Sequence, residues 1–185
     1  MSVLSDKDIM GLQKEHSIIT PFNVLYLQPS SYDLHFRLNK GVIVPPLADE
    51  VNVKENFNRI VIPPNELVLI STMEKVYIPN GYVGRVDGVS SLGRIGMLIH
   101  ITSGYIDPNF RGNITLEVVN LNRYPIVLED GCRIGQLIIE KMESENQRTY
   151  DSSRNHYQDQ DKTTPSKHED DFRASHYVIQ TEKLR

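Results

Sequence analysis

From Pro21 onward, proline and glycine cut the chain at close intervals: Pro45-Pro46, Pro63-Pro64, Pro79-Asn80-Gly81, Asp107-Pro108-Asn109 and Asp130-Gly131. Long helices do not survive such punctuation, because proline lacks an N–H and clashes with the preceding turn, while glycine loosens the backbone. The intervals hold β-type runs at 66–72, 82–86, 97–102, 113–120, 126–128 and 133–142. Many short strands separated by turn residues predict an all-β sandwich or barrel with Greek-key or jelly-roll connections. Ahead of them, Ser5 followed by Asp8 predicts a short capped helix with Ile9, Met10 and Leu12 on its apolar side.

The character changes again after the last run. Between Glu143 and Phe172 the only large apolar side chains are Tyr150, Tyr157 and Phe172. Such a stretch cannot bury enough apolar surface to order itself alone. We therefore divide the chain into a β core over 1–142 and a polar lid or tail over 143–185. The tail is either disordered or a flap that orders over a ligand or a neighbouring subunit. Within it, His176-Tyr177-Val178-Ile179 reads as a short strand that could pair with another element.

Composition removes several function classes. At 185 residues the chain can bury a core without disulfides or metal. Lys and Arg number 20 against 24 Asp and Glu, a balance that argues against a groove for duplex nucleic acid. A single cysteine, Cys132, excludes a disulfide framework and any multi-thiolate metal site, and fits a reducing, cytoplasmic setting. Apolar runs such as Leu67-Val68-Leu69-Ile70 fall far short of the ~20 residues that span a bilayer, so no membrane partner is expected. No export signal is visible at the start.

The catalytic inventory is narrow. Histidines stand at 16, 35, 100, 156, 168 and 176, with no H-x-E or H-x-x-x-H pair among them. The zinc-deaminase pattern, the P-loop, the dinucleotide-binding glycine motif and the G-x-S-x-G elbow are all absent from the sequence. Any chemistry must come from carboxylates, hydroxyls, arginine and a metal–substrate complex.

Three stretches concentrate such groups. In Asp87-Gly88-Val89-Ser90-Ser91-Leu92-Gly93-Arg94, two hydroxyls, backbone N–H groups and a guanidinium make a compact oxyanion receptor. The plainer alternative is a hydroxyl-capped turn with Arg94 in solvent. In His100-Ile101-Thr102-Ser103-Gly104-Tyr105-Ile106-Asp107-Pro108, Asp107 either caps a turn or accepts from a sugar hydroxyl. His100, alternating with Thr102 along an expected strand, alone reads as a packed, hydrogen-bonded histidine. In 113–120 the period-two pattern puts Ile114, Leu116 and Val118 on one face and Thr115, Glu117 and Val119 on the other. A lone Glu117 between Leu116 and Val118 is either a solvent-facing edge residue or a desolvated carboxyl suited to proton exchange.

Together and in this order, these pieces resemble a family. Ser90-Ser91-Leu92-Gly93-Arg94-Ile95-Gly96, Ile106-Asp107-Pro108-x-Phe110-x-Gly112, Ile114-Thr115-Leu116-Glu117 and Gly131-x-Arg133-Ile134-Gly135-Gln136-Leu137 look like the dCTP deaminase branch of the dUTPase-like superfamily. So do Leu4-Ser5-Asp6-Lys7-Asp8-Ile9 and Pro29-Ser30-Ser31-Tyr32-Asp33-Leu34. Tyr150, Tyr157-Gln158-Asp159-Gln160 and Thr164-Pro165-Ser166 resemble its C-terminal lid.

The resemblance implies a mainly β fold, a distorted barrel or jelly roll of the dUTPase-like type with a short N-terminal helix. It also implies a homotrimer with active sites between subunits. It implies deamination of dCTP at C4 to dUTP and ammonia without zinc, supplying dUTP for thymidylate synthesis. Magnesium would ride on the substrate's triphosphate, and dTTP would be a candidate inhibitor. Carried over, Glu117 is the general acid/base, and Ser90 and Arg94 position water, base and Glu117. Ser91, with the backbone at Leu92 and Gly93, takes phosphate. Asp107 binds the deoxyribose hydroxyl; Thr115 and Leu116 read the base; Gln136 marks a subgroup feature. Tyr150, His156 and Gln160 close from the lid.

Four departures from the family's usual pattern stand out: Val89 where an arginine is usual before the paired serines, His156 where a lid lysine is usual, a shorter segment between Tyr150 and His156, and Ser103 where alanine is common. The alternatives are a bifunctional enzyme forming dUMP and diphosphate, a plain dUTPase, and a nucleotide-binding regulatory pseudoenzyme. The absence of glycine after Gly135 argues against the Gly-rich arm of a plain dUTPase.

Overall fold

The structure, a computed structural model, describes residues 2–43, 58–150 and 155–167. In chain order the elements are β1 (Ser2–Val3), α1 (Asp6–His16), β2 (Ile19–Thr20), β3 (Leu27–Gln28), β4 (Ser31–His35), β5 (Arg59–Ile62) and β6 (Leu67–Tyr77). They continue with β7 (Tyr82–Gly88), α2 (Ser90–Arg94), β8 (Met97–Ile99), β9 (Tyr105–Ile106), β10 (Arg111–Asn120), β11 (Ile126–Glu129) and β12 (Arg133–Lys141). The expected strand at 176–179 lies outside the described residues.

α1 starts where its cap predicts. The Ser5 hydroxyl accepts from the Asp8 N–H at 3.3 Å, and the Asp8 carboxylate accepts from the Ser5 N–H at 3.2 Å, a reciprocal capping box. Ile9 and Leu12 are buried and Met10 is half-buried.

The strands form antiparallel sheets. One runs β3-β4-β12-β7-β9, with β1 also pairing to β12; a second runs β2-β6-β10-β8; β5 and β11 form a ribbon. The mainly β fold is as expected; among the described residues these sheets stay open rather than closing into a barrel. The outer strands β2, β3, β8 and β9 are only two or three residues long, too short to carry hydrogen bonding from one sheet to the next. Both larger sheets feed one core, with Tyr32, Leu34, Leu137 and Ile139 from the first and Ile70, Leu116 and Val118 from the second.

β4 shows no alternation, because all five of its residues are buried. Its polar members survive burial by pairing. Asp33 accepts from Arg133 at 3.1 Å and Gln28 at 3.0 Å, and His35 Nδ1 lies 2.7 Å from Glu74. β8 stops at Ile99 rather than continuing to 102, because His100 sits in the left-handed region at φ 60° and cannot extend a strand.

β10 carries the site. It pairs with β6 and β8, with a bulge between Asn113 and Thr115. The Thr72 hydroxyl accepts from the Ile114 N–H at 2.9 Å, and the Asn113 amide donates to the Thr72 carbonyl at 3.0 Å, which fixes the irregularity. Beyond it the sequence pattern holds, with Leu116 and Val118 buried and Thr115, Glu117 and Val119 on the opposite, half-buried face.

Residues 155–167 form a strap laid across this strand. The Asp159 N–H donates to the Arg111 carbonyl at 2.7 Å, the Asn113 N–H to the Gln160 carbonyl at 2.8 Å, and the Thr163 N–H to the Lys40 carbonyl at 2.9 Å. Glycine suits position 112 beneath it, since φ is 153° and a Cβ there would lie a tight 3.0 Å from the Gln160 carbonyl oxygen and 3.1 Å from its nitrogen.

Candidate active site

A cleft of about 790 Å³ opens between β10, the 100–107 loop and the strap. Ile43, Leu67 and Leu69 give it an apolar wall; Thr115 and Glu117 reach it from β10. Alternation along the strand puts those two side chains there, and the buried partners Leu116 and Val118 hold the register.

The 100–104 loop is bent hard toward Glu117. His100 and Ser103 both take left-handed backbone, at φ 60° and 59°. Non-glycine residues held there store strain that the surrounding contacts must offset. The His100 N–H donates to the Glu117 carbonyl at 2.7 Å, and the Gly104 carbonyl accepts from the Val86 N–H at 2.7 Å. A Cβ at 104 would lie 2.7 Å from the Val86 carbonyl oxygen, so glycine is what allows the loop to lie against β7.

The side chains meet as well. His100 Nδ1 lies 2.9 Å from Glu117 Oε2, and among the described residues neither buried atom has another partner. The imidazole is 9 % exposed and the carboxylate 33 %. Burial pulls the His100 imidazole down, but the hydrogen-bonding and charge of Glu117, with the Ser103 backbone, outweigh it and leave the group above the ordinary histidine value. The arrangement favours a charged imidazolium beside a carboxylate that keeps access to the cleft.

Asp107 and Tyr150 also line the cleft. The Tyr150 N–H donates to the Pro108 carbonyl at 2.8 Å, and its ring stands edge-on to Phe110 at 5.6 Å. Burial pushes the Tyr150 phenol above its usual value; the hydrogen bond from the Tyr157 N–H opposes this, and nearby Asp107 adds to it. The phenol therefore stays protonated. From the strap, the Thr164 N–H donates to Thr115 Oγ1 at 3.1 Å, which leaves the Thr115 hydroxyl proton for another acceptor. Gln160 Oε1 is buried without a partner among the described residues.

Five of the residues singled out by sequence thus share one cleft: Asp107, Thr115, Glu117, Tyr150 and Gln160. The other site residues implied by the resemblance do not line it. Ser90, Ser91, Gly93 and Arg94 lie exposed on α2, and Leu92 is half-buried against the core. Val89, not a hydroxyl residue, caps that helix, with no side-chain cap bond. The Leu116 side chain is fully buried because alternation turns it inward. Gln136 sits in β12 between β4 and β7, and Ser31 Oγ donates to its side chain at 3.4 Å. His156 stays out of the cleft lining, its ring edge-on to Tyr157.

His100 and Lys167 also reach the cleft, without a local sequence signal that marks them. His100 continues the β8–β10 register by one step past the Ile99–Val118 pair, a signal visible only once those strands are paired. Lys167 lines the cleft because the strap folds back, and no local pattern marks it. Burial pushes the Cys132 thiol up to about 11, which leaves it a poor nucleophile. Among the described residues, no group of three or more His, Cys, Asp or Glu side chains is placed to hold a metal ion. No described helix is long and apolar enough to cross a membrane.

The family model for dCTP deaminase-like proteins matches residues 3–142, which includes both the 100–107 loop and β10. The chain belongs to the dCTP deaminase-like family. Relatives are similar along most of their length. A protein of Methanosphaera stadtmanae named dCTP deaminase, dUMP-forming, is 39 % identical over 167 residues, 81 % of this chain and 84 % of that one. A protein of the same name from Corynebacterium diphtheriae is 41 % identical over 179 residues, 88 % of this chain and 95 % of that one. Among solved structures, the 2′-deoxycytidine 5′-triphosphate deaminase of Agrobacterium tumefaciens matches with a TM-score of 0.58 at 19 % identity. The match covers 75 % of this chain and 47 % of that one. That likeness concerns the fold of this dCTP deaminase-like chain.

Proposed function

We propose that this protein deaminates dCTP and hydrolyses the product to dUMP and diphosphate in one site. The observation that carries the deamination is Glu117, held by His100 on the wall of a cleft that also presents Asp107, Thr115 and Tyr150. The names of the relatives support dUMP over dUTP as the final product.

Attack on C4 of cytosine needs a nascent hydroxide and a protonated N3. One carboxyl group can serve both steps in sequence: it passes a proton from the attacking water to N3, then passes the proton of the new C4 hydroxyl to the amino group, which leaves as ammonia as the C4–N bond breaks. Glu117 fills that role, and His100 acts as its positioning residue. Thr115, its oxygen already engaged by the strap, donates its hydroxyl proton to an acceptor on the base. Asp107 takes the deoxyribose hydroxyl and is the carboxylate available to direct water at the α-phosphorus. Magnesium would arrive on the triphosphate oxygens.

Ser90 and Arg94 enter this scheme only from a second copy of the chain. Their helix adjoins an apolar surface: Ile95 is 46 % exposed and Leu121 63 % exposed, while the Leu121 N–H bonds the Gly96 carbonyl. Exposed apolar area of this kind marks an association surface. A homotrimer that buries it would bring the serines and the guanidinium to a neighbouring cleft. Incubation with dCTP and Mg²⁺, with ammonia, dUTP, dUMP and diphosphate quantified, tests the proposal. Ammonia with equimolar dUMP and diphosphate is expected. Accumulating dUTP would overturn the second step, and no ammonia would overturn the first.

A further inference from the structure

The geometry points to Lys167 as the lid cation that grips the substrate's polyphosphate, in the place that His156 leaves open. This rests on the nucleotide reading above and adds a residue to it. Apart from His100, Lys167 is the only cationic side chain among the described residues that line the cleft, which also carries Asp107 and Glu117. A nucleoside triphosphate cannot enter such a site without positive charge to meet its own.

The position of Lys167 is set by closure of the strap on itself. Its backbone N–H donates to the Tyr157 hydroxyl at 3.0 Å, and its ammonium donates to the His156 carbonyl at 2.8 Å. The ammonium also sits 5.9 Å from the centroid of the Tyr157 ring. The charge therefore lies beside the backbone of residue 156, although it comes from a residue eleven positions later. One of its three N–H donors is used by that carbonyl, which leaves two for phosphate oxygens. The His156 side chain, edge-on to the Tyr157 ring at 6.5 Å, is not among the lining residues. Because the same residue closes the strap and meets the anion, a bound polyphosphate stabilises the closed strap, and a nucleoside without phosphate does not.

Calorimetric binding of dCTP and of deoxycytidine to the full chain tests this, with Lys167→Met and Lys167→Arg as the variants. We expect Lys167→Met to weaken dCTP by about tenfold, the scale of one lost charge-assisted hydrogen bond. Deoxycytidine should change less than twofold, and Lys167→Arg should recover most of the dCTP affinity. Equal losses on both ligands would mean that Lys167 only props the strap, and unchanged dCTP affinity would mean that it touches no phosphate; either result overturns the inference. Binding does not require turnover, so a wild type that releases no ammonia would defeat the deaminase proposal while leaving this result readable.

Discussion

His100 and Glu117 are joined twice, by the histidine N–H on the glutamate carbonyl at 2.7 Å and by Nδ1 on the carboxylate at 2.9 Å. The double link means that the carboxylate cannot swing away from the cleft without disturbing the β8–β10 connection. Removing the carboxylate's charge while keeping its shape should therefore leave binding intact. Glu117→Gln is expected to bind dCTP within a fewfold of wild type and to lose turnover by roughly 10²–10⁴, the usual scale for a general acid/base. Ammonia release alongside calorimetry checks it, and turnover within tenfold of wild type would remove Glu117 from that role.

His100 makes a prediction about pH. Its folded value is raised above the ordinary 6.5, so the stability it contributes is fully present below about 6.5 and is lost as pH rises through the raised value. The melting-temperature gap between wild type and His100→Asn should be widest in mild acid and shrink with rising pH. The same variant should lower kcat by about tenfold with a displaced pH profile and little change in KM, as a positioning residue would. A pH-independent gap would mean that the pair is not charged.

Gly112 supports the strap. At φ 153°, with the Gln160 backbone 3.0 Å from where a Cβ would lie, a side chain there is strained and crowds the strap. Gly112→Ala should cost about 1–2 kcal/mol and displace the strap first. Hydrogen exchange would show this as lost protection at Asn113 and Thr164, whose N–H groups bond across the junction. Core amides in β12 should stay protected; uniform loss along the chain would argue for a global defect instead.

Separation of Arg94 from Glu117 within one chain leads to a mixing experiment. If each site joins Glu117 of one copy to Ser90 and Arg94 of another, inactive Glu117→Gln and inactive Arg94→Ala chains should complement after dissociation and reassembly. Random pairing in a cyclic assembly restores about a quarter of the sites. No recovery in mixed assemblies of confirmed composition would place the whole site within one chain.

What was legible from sequence alone is what local physics writes. Ser5 and Asp8 marked the start of α1, prolines and glycines marked the strand breaks, and the alternation in 113–120 set Thr115 and Glu117 apart from Leu116 and Val118. β4 was not legible as a strand, because the pairings that let Asp33 and His35 be buried come from Arg133 and Glu74, far away in the chain. The end of β8 was equally hidden, since the turn at His100 answers to Glu117.

Sequence determined which residue types stand at which face of each strand, because side-chain alternation and turn chemistry act over a few neighbouring residues. Tertiary structure alone decided that His100 meets Glu117, that Lys167 returns to the cleft, and that Ser90 and Arg94 do not line it. Those outcomes depend on strand register and on where loops and strap come to rest. Both are set by hydrogen bonding and burial between segments far apart in the chain, which no local pattern encodes.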